Sequence, residues 1–267
     1  MKIFVLLKVK TIFFLFFSSF SCSAFAIGEL ISTDARSFAL GNLHALSQSY
    51  INPAWYSFQT NSQLGISILN QFEMKELNTI HLYGNYPNKY LDAGLAFSHY
   101  GYEDYQINQI QTGISKKVLT GLSIGINFVY YQENSIWEEK ANNQLSSDIG
   151  ICYQLNESFE LAFLADHILH TFPDKLWNIH GGMTYKAVEG CSLLLEANYG
   201  AAKRFNLSFG IEYELAELFN LRAGVQTATK TPSFGVAYQW HQWKIDTGFA
   251  LHPVLGVSSI IGLSYCF

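Results

Sequence analysis

Charge is scarce in this sequence: Asp, Glu, Lys and Arg make up 14% of its 267 residues, and the net charge is -5. A polyanion would be repelled by such a chain, which argues against nucleic acid as a partner. Cysteine is scarce too. Once the leader described below is removed, Cys152, Cys191 and Cys266 remain, far apart, with no CxxC and no histidine at ligand spacing. Neither a disulfide framework nor a zinc site follows, so no metal and no cofactor is expected. Catalytic signatures are missing as well: there is no GxSxG, no HExxH and no phosphate-binding glycine loop. Beyond the leader no run is apolar enough for a spanning helix, and nothing between Asn61 and Phe267 looks like a linker. One domain is expected.

What is present starts with an export signal. Lys2, Lys8 and Lys10 precede the apolar run TIFFLFFSSF, which leads to Ala24-Phe25-Ala26, a small-x-small cleavage pattern. The run falls short of the roughly 20 apolar residues that an anchoring helix needs. Lipidation at Cys22 is disfavoured, because Ser19-Phe20-Ser21 lacks a small aliphatic lead-in. The chain therefore divides into a signal peptide over 1–26, an N-terminal segment over 27–61 and a strand-rich body over 62–267.

From Ser62 onward the sequence can be written as roughly fourteen period-2 segments of about 9 to 12 residues, the length of a tilted membrane-crossing strand. Phe234, Val236, Tyr238 and Trp240 alternate with Gly235, Ala237 and Gln239; Phe205, Leu207, Phe209, Ile211 and Tyr213 alternate with Asn206, Ser208, Gly210 and Glu212. A soluble sandwich also alternates, but three features separate the two. Tyr185, Tyr213, Trp240, Trp243, Tyr265 and Phe267 all fall at strand ends on one side of the sheet, where an aromatic girdle would lie. Short connections such as KAVEG alternate with longer ones such as QENSIWEEKANNQ. The last strand ends in Phe267, a terminus typical of outer-membrane barrels and read by their assembly machinery. The pattern predicts an all-β, antiparallel transmembrane barrel of about 14 strands, closed so that no sheet edge meets lipid.

Parity turns Asp92, Gln109, Gln111, Asn127, Asp148, Asp166, His180, Glu196, Asn198, Glu212, Arg222, Lys244 and Asp246 into the lumen. Unpaired charges there would cost several kcal/mol each, so Arg222 and Lys244 are expected to meet Glu212, Asp246 or Glu196. Glycine recurs on the same face, from Gly94 to Gly262. It either relieves curvature or leaves room for something inside. Catalysis has one candidate pair, Ser147 and His167, both outward by parity and about 7 to 8 Å apart on a diagonal. That separation is loose for a nucleophile and its base, and no enzyme activity is expected.

The stretch ARSFALGNLHALSQSYINPAW, Ala35 to Trp55, stands apart, because its apolar residues recur at helical spacing. Ala39, Leu43, Leu46 and Tyr50 would share one helical face, and Asn52-Pro53 fits an N-cap and first-turn proline opening a second short helix. Its polar side, with Arg36, Asn42, His44, Gln48 and Asn52, suits a lumen lined by carboxylates, and Arg36 is expected to pair with one. A flexible periplasmic lead-in is the alternative.

This stretch resembles the start of FadL-like barrels of the PorV/PorQ group: an Ala-Arg pair, a small or apolar run with glycine, then Asn-Pro-Ala. IDTGFALHPVLGVSSIIGLSY is similar to that group's closing hairpin, and SSDIGICYQL and FNLRAGVQT to its internal strands. In this chain Asn42 stands where a second glycine is common. The resemblance implies a fourteen-stranded barrel in the outer membrane of a Gram-negative bacterium, with the N-terminal segment folded into the lumen as a hatch. It implies either an accessory role in type IX secretion, with secretion-system proteins as partners, or uptake of hydrophobic compounds. An apolar solute prefers an apolar lining, so the charged lumen ranks the secretion or structural role first and the channel second. The outer-membrane lipid and the barrel-assembly machinery are the remaining expected partners. The residues expected to matter are Arg36, Asn52 and Pro53 on the segment and Asp148, Asp166, Glu196, Glu212, Arg222, Lys244 and Asp246 on the wall.

Overall fold

A computed structural model describes residues 32–137, 140–171, 177–200, 205–216 and 218–267. The signal-peptide assignment over 1–26 lies outside these residues. Fourteen strands follow one another around the barrel: β1 (Gln63–Asn70), β2 (Asn78–Tyr86), β3 (Asp92–Tyr102), β4 (Tyr105–Leu119), β5 (Leu122–Ser135), β6 (Asn142–Gln154) and β7 (Phe159–His170) form one half. The other half is β8 (Asn178–Val188), β9 (Cys191–Gly200), β10 (Phe205–Ala216), β11 (Phe219–Gln226), β12 (Thr231–Trp240), β13 (Trp243–His252) and β14 (Gly256–Cys266). Each pairs antiparallel with its sequence neighbour, and β1 pairs with β14, so the sheet closes. This is the all-β barrel that the alternation predicts.

Side-chain parity decides which face of each strand meets what. On the β12–β13 pair, Phe234 faces Phe249 and Trp240 faces Trp243 outside, while Gly235 faces Gly248 and Gln239 faces Lys244 inside. The outer surface exposes Leu82, Phe97, Phe128, Phe163, Phe209 and Ile245. In water such a belt would be costly; against lipid tails it is matched. Among the described residues no helix is long and apolar enough to cross a membrane. Aromatic pairs gather at the rim that holds the C-terminus: Phe159 with Tyr185 at 4.6 Å, Trp243 with Tyr265 at 4.7 Å and Tyr265 with Phe267 at 4.9 Å. The N–H of Phe267 donates to Ser62 O at 2.8 Å, so the last residue completes the seam between first and last strands.

The apolar core lies inside the barrel. Leu40, Leu43, Leu46, Tyr50, Ile51 and Trp55 of the N-terminal segment pack with Ala96, Cys152, Leu164 and Leu194 of the wall. The segment is less helical than its periodicity predicts. One short helix, α1 (Ala35–Ala39), is followed by turns, and a 3-10 helix spans Pro53–Phe58. Gly41 and Asn42 have φ of 91° and 58°, and two left-handed residues in succession end the helix before Leu43. Asn tolerates that conformation better than most side chains, which fits its place where a second glycine is common. Ala39, Leu43, Leu46 and Tyr50 are nonetheless all buried.

One strand departs from simple parity. Ala165 pairs with Ile149, but Leu169 pairs with Ser147, so β7 carries two extra residues opposite β6. In that bulge His167 takes φ 56°, and its Nε2 lies 3.4 Å from the hydroxyl of buried Tyr131. His167 therefore faces inward. Ser147 stays outside, opposite Phe128 and Leu169, so the Ser147–His167 pair that parity suggests does not form.

Candidate functional site

The segment crosses the lumen because the wall has been cut away for it, strand by strand. A methyl group at Gly224 would overlap the backbone of Leu40 and Gly41, and one at Gly125 that of Pro53 and Ala54. At Gly182 it would meet Leu46, at Gly150 Asn52, at Gly94 Tyr56 and at Gly235 Ala39. Gly113, Gly210 and Gly248 also approach the segment, through Tyr56, Leu40 and Phe38 respectively. The lumenal glycines thus form a belt whose missing side chains the segment replaces.

Polar wall side chains then satisfy the segment's backbone, whose groups would otherwise be buried unpaired. Ser233 donates to Ala39 O at 2.9 Å and accepts from Gly41 N at 3.1 Å. Asn127 donates to Ile51 O, Ser123 to Ala54 O and Gln111 to Tyr50 O. Glu196 of β9 accepts the N–H groups of His44 (2.9 Å) and Leu46 (3.2 Å). Within the segment, Asn52 accepts from Ala54 N at 3.1 Å, capping the 3-10 helix with Pro53 at its first turn. Its amide donates back to Ala45 O at 2.7 Å, and Trp55 Nε1 donates to the same oxygen at 2.9 Å.

Two ionic groups tie the segment to the wall. In the first, Arg36 donates from Nε and Nη2 to Glu212 of β10, the shorter bond being 2.7 Å. Arg222, opposite Glu212 on β11, donates to the same carboxylate at 2.7 Å and also to Asp246, which Lys244 meets at 3.2 Å. Five charges alternate in sign, so none is buried alone. A cleft of about 540 Å³ at the C-terminal rim, lined in part by Lys186, Glu189, Cys191 and Asn220, reaches Glu212. In the second group, His180 of β8 lies between Asp166 (3.3 Å) and Glu196 (3.2 Å), and the His44 ring stacks on it with centroids 4.7 Å apart and planes 3° from parallel. Burial, together with the charge of His180, holds the His44 imidazole down to about 4, so it is neutral.

Asp34 organises the segment itself. Its carboxylate accepts from Ser37 N at 2.9 Å as the N-cap of α1, and from the hydroxyls of Ser37, Ser47 and Ser49 at 2.7–2.8 Å. Burial would raise its pKa, but these four donors outweigh burial and hold the carboxyl below its usual 3.8.

Of the residues singled out from sequence, Arg36, Asn52, Pro53, Glu196 and Glu212 contact or form the segment's docking, and Arg222, Lys244 and Asp246 extend it along the wall. Asp166 joins through His180. Asp148 accepts the N–H of His167 at 3.0 Å in the β7 bulge, and among the described residues no hydrogen bond joins it to the segment. Sequence reasoning missed Asp34 and the His44–His180 stack. Asp34 had a signal, an acidic residue three before Ser37 at the start of an apolar helical pattern.

Neither a protein-family model nor a curated protein matches the chain. Solved structures do. The CymD monoaromatic hydrocarbon channel superposes with a TM-score of 0.69 at 11% identity, over 87% of this chain and 97% of that one. The toluene transporter TodX of Pseudomonas putida gives 0.64 at 12%, over 91% and 98%. A FadL homologue from Pseudomonas aeruginosa gives 0.63 at 11%, over 88% and 98%. The chain thus has the fold of FadL-like barrels. At 11–12% identity these likenesses show the fold alone, and they lend no support to a place in the PorV/PorQ group.

Proposed function

We propose that this protein is an outer-membrane channel for hydrophobic small molecules of a Gram-negative bacterium, held closed by residues 32–61 acting as a hatch. The observation that carries this reading is a FadL-like barrel whose lumen is crossed by its own N-terminal segment. The barrels it resembles include a monoaromatic hydrocarbon channel and a toluene transporter. The apolar outer belt and the aromatic rim support insertion in lipid. The charged lumen fits the same reading, because the charges of its two ionic groups hold the segment rather than line an open solute path. Outer-membrane vesicles with and without the protein, given labelled toluene and a labelled fatty acid, test it. Faster uptake of at least one is the expected result. Equal rates for both, together with co-purification of secretion-machinery proteins, would return the accessory role to first place.

A further inference from the structure

His44 of the segment, Asp166 of β7 and His180 of β8 bring three ligand atoms within 4.8 Å of one another, although they are far apart in the chain. The His180 Nε2 to Asp166 Oδ2 distance is 3.3 Å. Two ligands on one tetrahedral ion at bonds of about 2.0–2.1 Å are separated by about that length. The surroundings are those of a ligand set. The other ring nitrogen of His180 lies 3.2 Å from buried Glu196, the carboxylate–imidazole pairing that orients metal-bound histidines. The other oxygen of Asp166 accepts the Asn178 N–H at 3.0 Å, which fixes the carboxylate's direction. Glu196 also holds the backbone N–H of His44.

We propose that His44, Asp166 and His180 bind one divalent transition-metal ion of zinc's borderline softness, cross-linking the N-terminal segment to the barrel wall. The two rings are parallel, so their in-plane lone pairs do not converge as they stand. Binding turns the His44 ring about χ2, a broad torsion, and among the described residues the side-chain group hydrogen-bonded to that ring is the Asn42 amide at 3.5 Å. The ion takes the place of the proton between His180 Nε2 and Asp166, and that proton leaves to solvent. His44 and Asp166 are partly exposed, which leaves the fourth position to water. The site requires a docked segment but not a conducting barrel, so it stands or falls separately from uptake.

Chelator-stripped full-length protein in detergent, titrated with Zn²⁺ by calorimetry, tests the site. One ion per chain is expected, with release of a proton, and Co²⁺ should give the visible bands of a tetrahedral ion. His44→Ala and Asp166→Asn should each weaken binding at least about tenfold, whereas His241→Gln at the rim should leave it unchanged. Retained heat-modifiable mobility on gels shows that the variants are folded, and His44→Ala, which removes no wall residue, decides the matter if the wall variants fail to assemble. No stoichiometric binding to the wild type, or binding unchanged in His44→Ala, overturns the proposal.

Discussion

Glu212 is the residue on which the first ionic group depends, because Arg36 and Arg222 share its carboxylate. Glu212→Ala leaves two guanidinium groups facing each other, and removing one partner of a buried pair costs about 3–5 kcal/mol. Arg36→Met costs less, since Glu212 keeps Arg222. Chymotryptic cleavage after Phe38, which is buried while the segment is docked, should rank the two variants in that order. Asp34 gives a pH test. Its carboxyl titrates lower when docked than when released, so its contribution is complete above about pH 3.8 and is lost as pH falls through the docked value. Asp34→Asn should weaken docking at neutral pH by about 1–3 kcal/mol and flatten the acid limb. Fluorescence of a chain that keeps Trp55 as its only tryptophan reports both. The cap at Asp34 and the Asn52-Pro53 start were readable from neighbouring residues, because capping is local. The partners of Arg36 were not, because the nearest acidic ones lie on strands that come close only when the barrel closes.

At the scale of elements, the glycine belt is the part of the design that can be tested most cleanly. Gly125→Ala and Gly224→Ala place a methyl group against segment backbone, which cannot swing aside as a side chain could. Each should destabilise docking by about 1–3 kcal/mol, the usual cost of overpacking, and speed cleavage after Phe38. Gly181→Ala, with nothing within 4 Å of the added carbon, should leave the rate unchanged and serves as the control. The strands were legible because a period of two is imposed by the pleat itself. Even the recurrence of glycine on one face was visible, although curvature explained it equally well. Parity failed at β7, where two extra residues turned His167 inward; a bulge leaves no mark in alternation until the partner strand is known. Helical spacing misled at Leu43 to Tyr50. Those residues are buried by the wall around them, which satisfies spacing without a helix.

For the whole molecule, the outer belt and the backbone pairing of β1 with β14 are made without the segment, although Ala35 and Phe38 pack on Leu69 and Ile260 beside that seam, so the barrel should outlast its removal. Deleting residues 32–61 is expected to leave the strand content measured by circular dichroism intact and to raise ion conductance in planar bilayers well above that of the full chain. Unchanged conductance would mean that the segment does not close the lumen. Period-two alternation determined the all-β class, the membrane-facing surface and the inward set of polar residues and glycines, since these follow from the direction of each side chain along a single strand. Only the tertiary structure decided which inward residues meet. Closure fixes the height and angle of every strand relative to the others, and that geometry brings Arg36 to Glu212 and His44 to His180 across more than a hundred residues of chain.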